Sequence, residues 1–399
     1  MLSELLHRGT VPYSVIFDIG SGSVGVAIVE LDITERKPLI IYAYREPIRP
    51  PKNTTPELYV RTLKEALLAA TLELTTEGMK ALRSHHGTLT AMHILYAAPW
   101  SEIVSRTISL EKSEPFKATK SFVDTLILEA LAVADERKHE QVIFDRIGLE
   151  IIAQELASGR LNGYDVADFT GQLCTTIDLV HVSELVPRAV RDAVHDATRH
   201  FPAHGEVTEH AFAHASSQTV THIFPHTDSF ILIECTGGAT ECILYEDGVV
   251  RESVSTMVGT HAFENEIAER LGTIDTEVRA HLRDYVSSTT HSEVTEALTE
   301  ARDAYKGMLS KLYLQLRAHY VLPRNIFTLA QPDYRDLFLT MAEEAYATCT
   351  QDYKIHALDN ELLSSFVEYA PSITPDHYIA MIALFFHTKR KNGAVINRK

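Results

Sequence analysis

The chain has 399 residues, enough for two domains or more, and 45% of them are hydrophobic, enough to build real cores. Its net charge of −17 excludes the basic face a nucleic-acid binder needs, and no run of 18 apolar residues exists to form a membrane-spanning helix. Four cysteines (Cys174, Cys235, Cys242, Cys349) fall at no metal or disulfide spacing and fit a reduced cytoplasmic interior; the short, acidic start, Met1 to Arg8, does not read as a signal peptide.

In chain order, Val15 to Asp32 reads as a β-hairpin and Pro38 to Tyr44 as a third strand. Four prolines mark Arg45 to Pro56 as a loop. Leu63, Leu67, Ala70 and Leu74 recur at helical spacing, so Leu58 to Leu74 is expected to be a helix. Ala91 to Ala98 reads as a buried strand and Thr119 to Lys138 as a helix. Phe144 to Leu156 mixes strand and short helix, and Gln172 to Val182 follows a turn at Asn162-Gly163 as a strand. Ser183 to Phe201 is expected to be helical. A second hairpin spans Phe230 to Val250. Helices are expected over Gly259 to Leu271, Val294 to Tyr320, from Tyr334, and over His377 to His387, with a short strand at Asn325 to Leu329. Alternating strands and helices make the class α/β.

The two hairpins carry the chemistry. Each is an apolar strand, an acid, a Gly/Ser/Thr turn and a second apolar strand. Backbone N–H groups of such a turn form a concave anion site, and glycine lets a phosphate approach closely. In the first, Gly20, Ser21, Gly22 and Ser23 form the turn, and Asp18 is placed to hold Mg²⁺, an ion that takes one or two carboxylates and keeps several waters. In the second, Gly237 and Gly238 supply the close approach, Thr240 a hydroxyl, and Glu234 or Glu241 a carboxylate for metal binding or catalysis.

Asp18-Ile-Gly-Ser-Gly-Ser-Val-Gly25 resembles the phosphate 1 motif of the actin, Hsp70 and sugar-kinase superfamily, and Glu234-Cys-Thr-Gly-Gly-Ala-Thr-Glu241 resembles its phosphate 2 motif. Within that superfamily the likeness is to the bacterial actin homologues FtsA and PilM. It extends to Leu161-Asn-Gly-Tyr-Asp-Val-Ala-Asp-Phe-Thr-Gly171 and to Val258-Gly-Thr-His-Ala-Phe-Glu-Asn-Glu-Ile-Ala268, whose Gly259 joins the candidate nucleotide contacts. The resemblance implies a two-lobed, ribonuclease H-like fold with a five-stranded sheet in each lobe and ATP with Mg²⁺ in the cleft between them. It also implies an inserted 1C-type subdomain. The corresponding division is subdomain 1A over 1–86 and 180–226, the insertion over 87–179, subdomain 2A over 227–271 and 323–386, subdomain 2B over 272–322, and a basic tail over 387–399.

The sequence departs from that family at three places. Glu234 stands where the phosphate 2 motif has aspartate, and Thr236 replaces its first glycine. The adenosine motif, expected at Asn325-Ile-Phe-Thr-Leu-Ala-Gln-Pro-Asp-Tyr334, lacks its glycines, and none occurs from Met308 to Asn392. ATP hydrolysis is therefore expected to be weak or absent.

Two functions compete. One is an FtsA- or PilM-like scaffold at the cytoplasmic face of the membrane, in cell division or type IV pilus assembly, forming a polymer or dimer with itself or binding an FtsZ-like or PilN-like protein. The other is an exopolyphosphatase-like phosphohydrolase, suggested by Gly237-Gly-Ala-Thr-Glu241. The basic tail, with Lys389, Arg390, Lys391, Arg398 and Lys399, reads as a charged tail or a peripheral contact with anionic lipid. His210 and His214, four apart in a histidine-rich stretch, match a zinc spacing but read more simply as a solvated surface.

Overall fold

The computed structural model describes residues 11–31, 36–50, 55–134, 148–166, 168–199, 201, 205–274, 277–279, 282 and 292–396. The chain starts as an antiparallel meander, β1 (Val11–Ile19), β2 (Ser23–Glu30) and β3 (Leu39–Pro47). Helix α1 (Pro56–Glu73) follows, with Thr55 capping it by accepting from the Leu58 N–H and with Leu63, Leu67 and Ala70 buried. It continues through a wider turn into α2 (Met79–Ser84), and β4 (Gly87–Tyr96) returns parallel to β1.

The chain then leaves this sheet. β5 (Glu102–Ala118), α3 (Lys120–Ala134), β6 (Leu149–Leu161), β7 (Tyr164–Asp165) and β8 (Gln172–Pro187) form a separate unit, a four-stranded sheet in the order β5-β8-β6-β7. It has a small core of its own around Val123, Leu161, Ile177 and Leu179. Helix α4 (Arg188–Thr198) leads back to β9 (Glu206–Ala211), parallel to β4, and then to α5 (Phe212–Ile223).

The second lobe repeats the scheme. β10 (Ser229–Cys235), β11 (Thr240–Glu246) and β12 (Val249–Thr256) form a meander. After α6 (Thr260–Leu271) and α7 (Ser292–Arg317), β13 (Asn325–Ala330) lies parallel to β10. Then α8 (Arg335–Ala347) leads to β14 (Lys354–Ala357), parallel to β13. The sheet orders β3-β2-β1-β4-β9 and β12-β11-β10-β13-β14 are the same path walked twice. Finally α9 (Asn360–Leu363), β15 (Glu368–Tyr369) and α10 (His377–Ile396) return to the first lobe, where β15 pairs with β3.

Helices α5 and α10 lie between the two sheets. One continuous core joins Ile16, Ala27 and Val29 of the first sheet to Phe230, Leu232 and Phe327 of the second, through Phe212, Val220 and residues 378–386. The outer face of each sheet has its own helices: α1 and α4 on the first, and α6, α7 and α8 on the second.

Several expectations change. The first sheet has six strands rather than five, because β15 arrives from the far end of the chain. Residues 183–187, read as helix, extend strand β8, where Ser183, Glu184 and Val186 are buried; the helix starts only after Pro187. Of the span 87–179 read as inserted, Gly87–Tyr96 is a strand of the first sheet, and the small sheet runs on to Pro187. The histidine-rich stretch is not a solvated surface: it contains β9 and α5, and His210 and His214 are buried. The last helix runs past His387 into the basic segment.

Candidate functional site

Strand alternation decides which side chains reach the space between the lobes. Ile16 faces that space and Phe17 and Ile19 face away, so Asp18 points inward; Leu232 and Ile233 set the same phase for Glu234. Both acids sit at the ends of their strands, beside the glycine turns, and both are buried.

The two turns meet. Ser21 and Thr236 share a short hydroxyl–hydroxyl hydrogen bond, and the Gly238 N–H donates to Ser21 Oγ at 3.0 Å. A methyl group on Gly22 would stand 2.5 Å from the Gly237 Cα. The first turn is held on all sides: Trp100 Nε1 donates to the Gly20 carbonyl (2.9 Å), Tyr59 to that of Ser21 (2.6 Å) and the Ile48 N–H to that of Gly22 (2.8 Å). Gly259 lies against the second turn, where a Cβ would come within 2.3 Å of the Thr236 carbonyl. Thr240 does not face the cleft: its hydroxyl bonds the Val258 carbonyl (2.6 Å) and Tyr305 (2.7 Å) in the core of the second lobe.

The place expected for a metal holds an arginine. Arg45 on β3 donates from Nη2 to Asp18 Oδ2 (2.8 Å), from Nη1 to Ser23 Oγ (2.9 Å), and from Nε and Nη2 to the two oxygens of Asp376 (2.7 and 3.0 Å). Its guanidinium lies 5.2 Å from the centre of the Tyr378 ring. Burial alone would lower the Arg45 pKa, but the charges of Asp376 and Asp18 carry it above its ordinary value. The two carboxylates share this cation unequally. Burial raises both, yet Arg45 brings Asp376 below the usual range and leaves Asp18 above it.

Glu234 and Glu241 face each other across β10 and β11. Burial first, then the neighbouring Glu241 and Asp18, push Glu234 well above the carboxylate range, and neither of its oxygens has a hydrogen-bond partner among the described residues. Burial pushes Glu241 up to about 7, against the short hydrogen bond it accepts from Ser253.

In front of this cluster lies a cavity of 430 Å³, lined by Gly22, Ser23, Arg45, Arg49, His261, Glu264, Arg279, Tyr334, Asp376 and Tyr378 among others. Arg279 and Tyr334 both bind Glu264, tying that corner together. Asp18, Glu234 and Glu241 do not line the cavity. The adenosine segment ends β13 at Ala330 and turns through Pro332–Tyr334 with side chains, not glycine backbone, facing the space.

Two solved structures are similar to this chain in fold. A "PilM-PilN type IV pilus biogenesis complex" matches over 95% of this chain and 98% of that one, with a TM-score of 0.59 at 11% identity. The ethanolamine utilization protein EutJ from Carboxydothermus hydrogenoformans matches over 96% and 95%, with a TM-score of 0.43 and 11% identity. This chain has the actin-like fold. No protein-family model and no curated protein matches it.

The residues at the cleft of this actin-like chain do not fit a magnesium-bound nucleotide as they are arranged. A metal needs a free, ionised carboxylate: Asp18 is taken by Arg45, and Glu234, though unpartnered among the described residues, does not line the cavity and is pushed by burial well above the carboxylate range. A phosphate needs room between the turns, and Gly22 and Gly237 fill it with backbone. Among the described residues no group of three His, Cys, Asp or Glu side chains is arranged to hold a metal ion.

The residues that sequence reasoning missed are Arg45 and Asp376. One signal was available: Gly25 pairs with Arg45 across β2 and β3, and a glycine inside a strand marks a place that something large approaches. A Cβ on Gly25 would lie 2.8 Å from Arg45 Nη2.

The basic segment is also engaged. His210 donates from Nδ1 to Glu184 Oε1 (3.1 Å) and accepts at Nε2 from Lys389 (3.2 Å), which rules out both nitrogens as zinc ligands. Arg390 donates to Ser14 Oγ at 3.3 Å, so Lys389 and Arg390 anchor α10 to the body of the protein rather than lying free for lipid. Arg398 and Lys399 lie outside the described residues, and no described helix is long and apolar enough to cross a membrane.

Proposed function

We propose that this chain is a PilM-like actin-fold adaptor that works by binding a partner rather than by turning over a nucleotide. The observation that carries the reading is the direct contact of the two glycine turns, which leaves the chemistry of the fold without a phosphate seat. One solved neighbour that spans nearly the whole chain is a PilM–PilN type IV pilus biogenesis complex, which supports a PilN-like partner; the place we propose for the chain is the cytoplasmic face of the membrane. The inserted unit supplies extra surface for such a partner, with Tyr164, Leu173 and Leu128 exposed on it. FtsA-like self-assembly is the close variant of the same reading.

The test is titration of the purified chain with a PilN-type N-terminal peptide, alongside sedimentation and negative-stain microscopy with and without Mg-ATP. Saturable peptide binding by a soluble protein supports the adaptor. Filaments move the reading to an FtsA-like polymer.

One observation favours a phosphohydrolase. Glu241, at about 7, lies in the range that suits a general base. It is nevertheless sealed from the cavity and bonded to Ser253. Phosphate release from polyphosphate or ATP would overturn the adaptor reading.

A further inference from the structure

We infer that Arg45 is a built-in cation that has taken over the metal's place in this fold, latching Asp18 on the first hairpin to Asp376 at the start of α10 without any bound ligand. A divalent ion at such a site would bridge carboxylates and polarise the neighbouring hydroxyl. The guanidinium does the same with five donors in a fixed plane, four of whose contacts are on Asp18, Ser23 and Asp376. The latch is a built one. Gly25 makes room for the guanidinium, the Tyr378 ring covers it, and Asp376 is held in turn by the Ile379 N–H (3.1 Å) and by its own N–H on Tyr369 Oη (3.2 Å).

The latch also sits beside the contact between the two lobes. Arg45 joins β3 to the helix that forms the core between the lobes, and Tyr378, two residues after Asp376, donates to the Cys235 carbonyl on the second hairpin (3.1 Å). One cation therefore links the first hairpin, α10 and, through Tyr378, the end of β10. In a ligand-driven protein of this architecture the closing charge would arrive from solution. Here it is encoded in the chain, so the link between Asp18 and Asp376 stands without a ligand.

The inference goes beyond the adaptor reading and fails separately from it. Loss of peptide binding would leave the latch standing, and Mg²⁺ binding by the parent would remove the latch and leave the peptide question open.

Trp100, the single tryptophan of the chain, is buried with Nε1 on the Gly20 carbonyl, so its emission reports on the first turn. The experiment titrates the full chain with millimolar MgCl₂ and then Mg-ATP, following Trp100 emission and Tm. The parent is expected to show no change in either. Arg45→Met should lower Tm by roughly 5 °C or more, because one buried and one half-buried carboxylate lose their cation. Mg²⁺ should then restore part of that loss and shift the emission. Adding Asp18→Asn and Asp376→Asn to Arg45→Met should recover stability without Mg²⁺ and abolish the response. A saturable Mg²⁺ response in the parent overturns the inference. So does an Arg45→Met protein as stable as the parent. If Arg45→Met does not fold, the triple variant decides: a folded triple variant supports the latch and an unfolded one overturns it.

Discussion

Gly22 and Gly237 touch through bare backbone: a methyl group placed on either would stand 2.5 Å from the Cα of the other. Both hairpins keep the shape of a phosphate grip, yet each grips the other turn. Gly22→Ala must therefore push the lobes apart or strain one turn. The expected loss is about 1–3 kcal/mol in chemical denaturation, with a larger radius of gyration by X-ray scattering. An unchanged midpoint would mean that the turns are not in contact.

Tyr59 has a single polar task, donating to the Ser21 carbonyl at 2.6 Å, and its hydroxyl stands where a side chain on residue 238 would be. Tyr59→Phe leaves that buried carbonyl short of a donor. We expect about 1–2 kcal/mol of destabilisation and a change in Trp100 emission, since the two rings are 4.7 Å apart. A silent variant would show that the turn does not depend on this bond.

Glu241 makes stability fall as pH rises. Its folded value, about 7, lies above the ordinary 4.5, so the folded state holds the proton more tightly than the unfolded one. The contribution is complete below about 4.5 and is lost as pH climbs through about 7. Glu234 shifts in the same direction, and the facing pair titrates together. Glu241→Gln should flatten this decline and gain up to about 3 kcal/mol at pH 8, read from urea midpoints between pH 4.5 and 8. A parallel pH profile in the variant would show that the fold does not raise the Glu241 pKa.

His93 acts with the opposite sign. Burial, helped by Arg390, His210 and Lys389, pushes it down to about 3, so it is neutral in the fold. Its stability contribution is complete above the unfolded value of 6.5 and is lost as pH falls toward about 3. It stacks on Phe386 of α10 at 3.8 Å and bonds Thr208 Oγ1 through Nδ1. Hydrogen exchange at pH 5 should therefore quicken along residues 384–396 before it does in α7. Uniform exchange across both helices would count against a local opening of α10.

The hairpins were legible because their signal is local: strand, acid, turn and strand lie within fifteen residues, and the turn chemistry demands glycine. The α/β class and most helices followed from period alone. What escaped depends on distance. Arg45 sits on β3 in a segment read as loop, and its partner Asp376 lies 331 residues on; Gly25 hints at Arg45, but nothing announces Asp376. β5 alternates in exposure only from Arg106 to Glu111 and is exposed from Glu111 to Pro115, with charged residues among them, so it resembles a solvated loop. The histidines of β9 and α5 looked polar because composition does not show that Glu184 and Lys389 satisfy His210 from other elements. β15, two residues long, is a strand only because β3 offers an open edge.

The return of the chain to its first sheet bears on how the protein is made. Strand β15 and helix α10 complete a lobe whose other strands were synthesised more than 150 residues earlier, counting from β9 at Glu206–Ala211. Until residues 368–386 leave the ribosome, the edge of β3 and the inner face around Ile16 and Ala27 stay uncovered. The nascent first lobe is thus a natural client for a chaperone, and a chain stopped before Glu368 should collect in aggregates rather than as a soluble half.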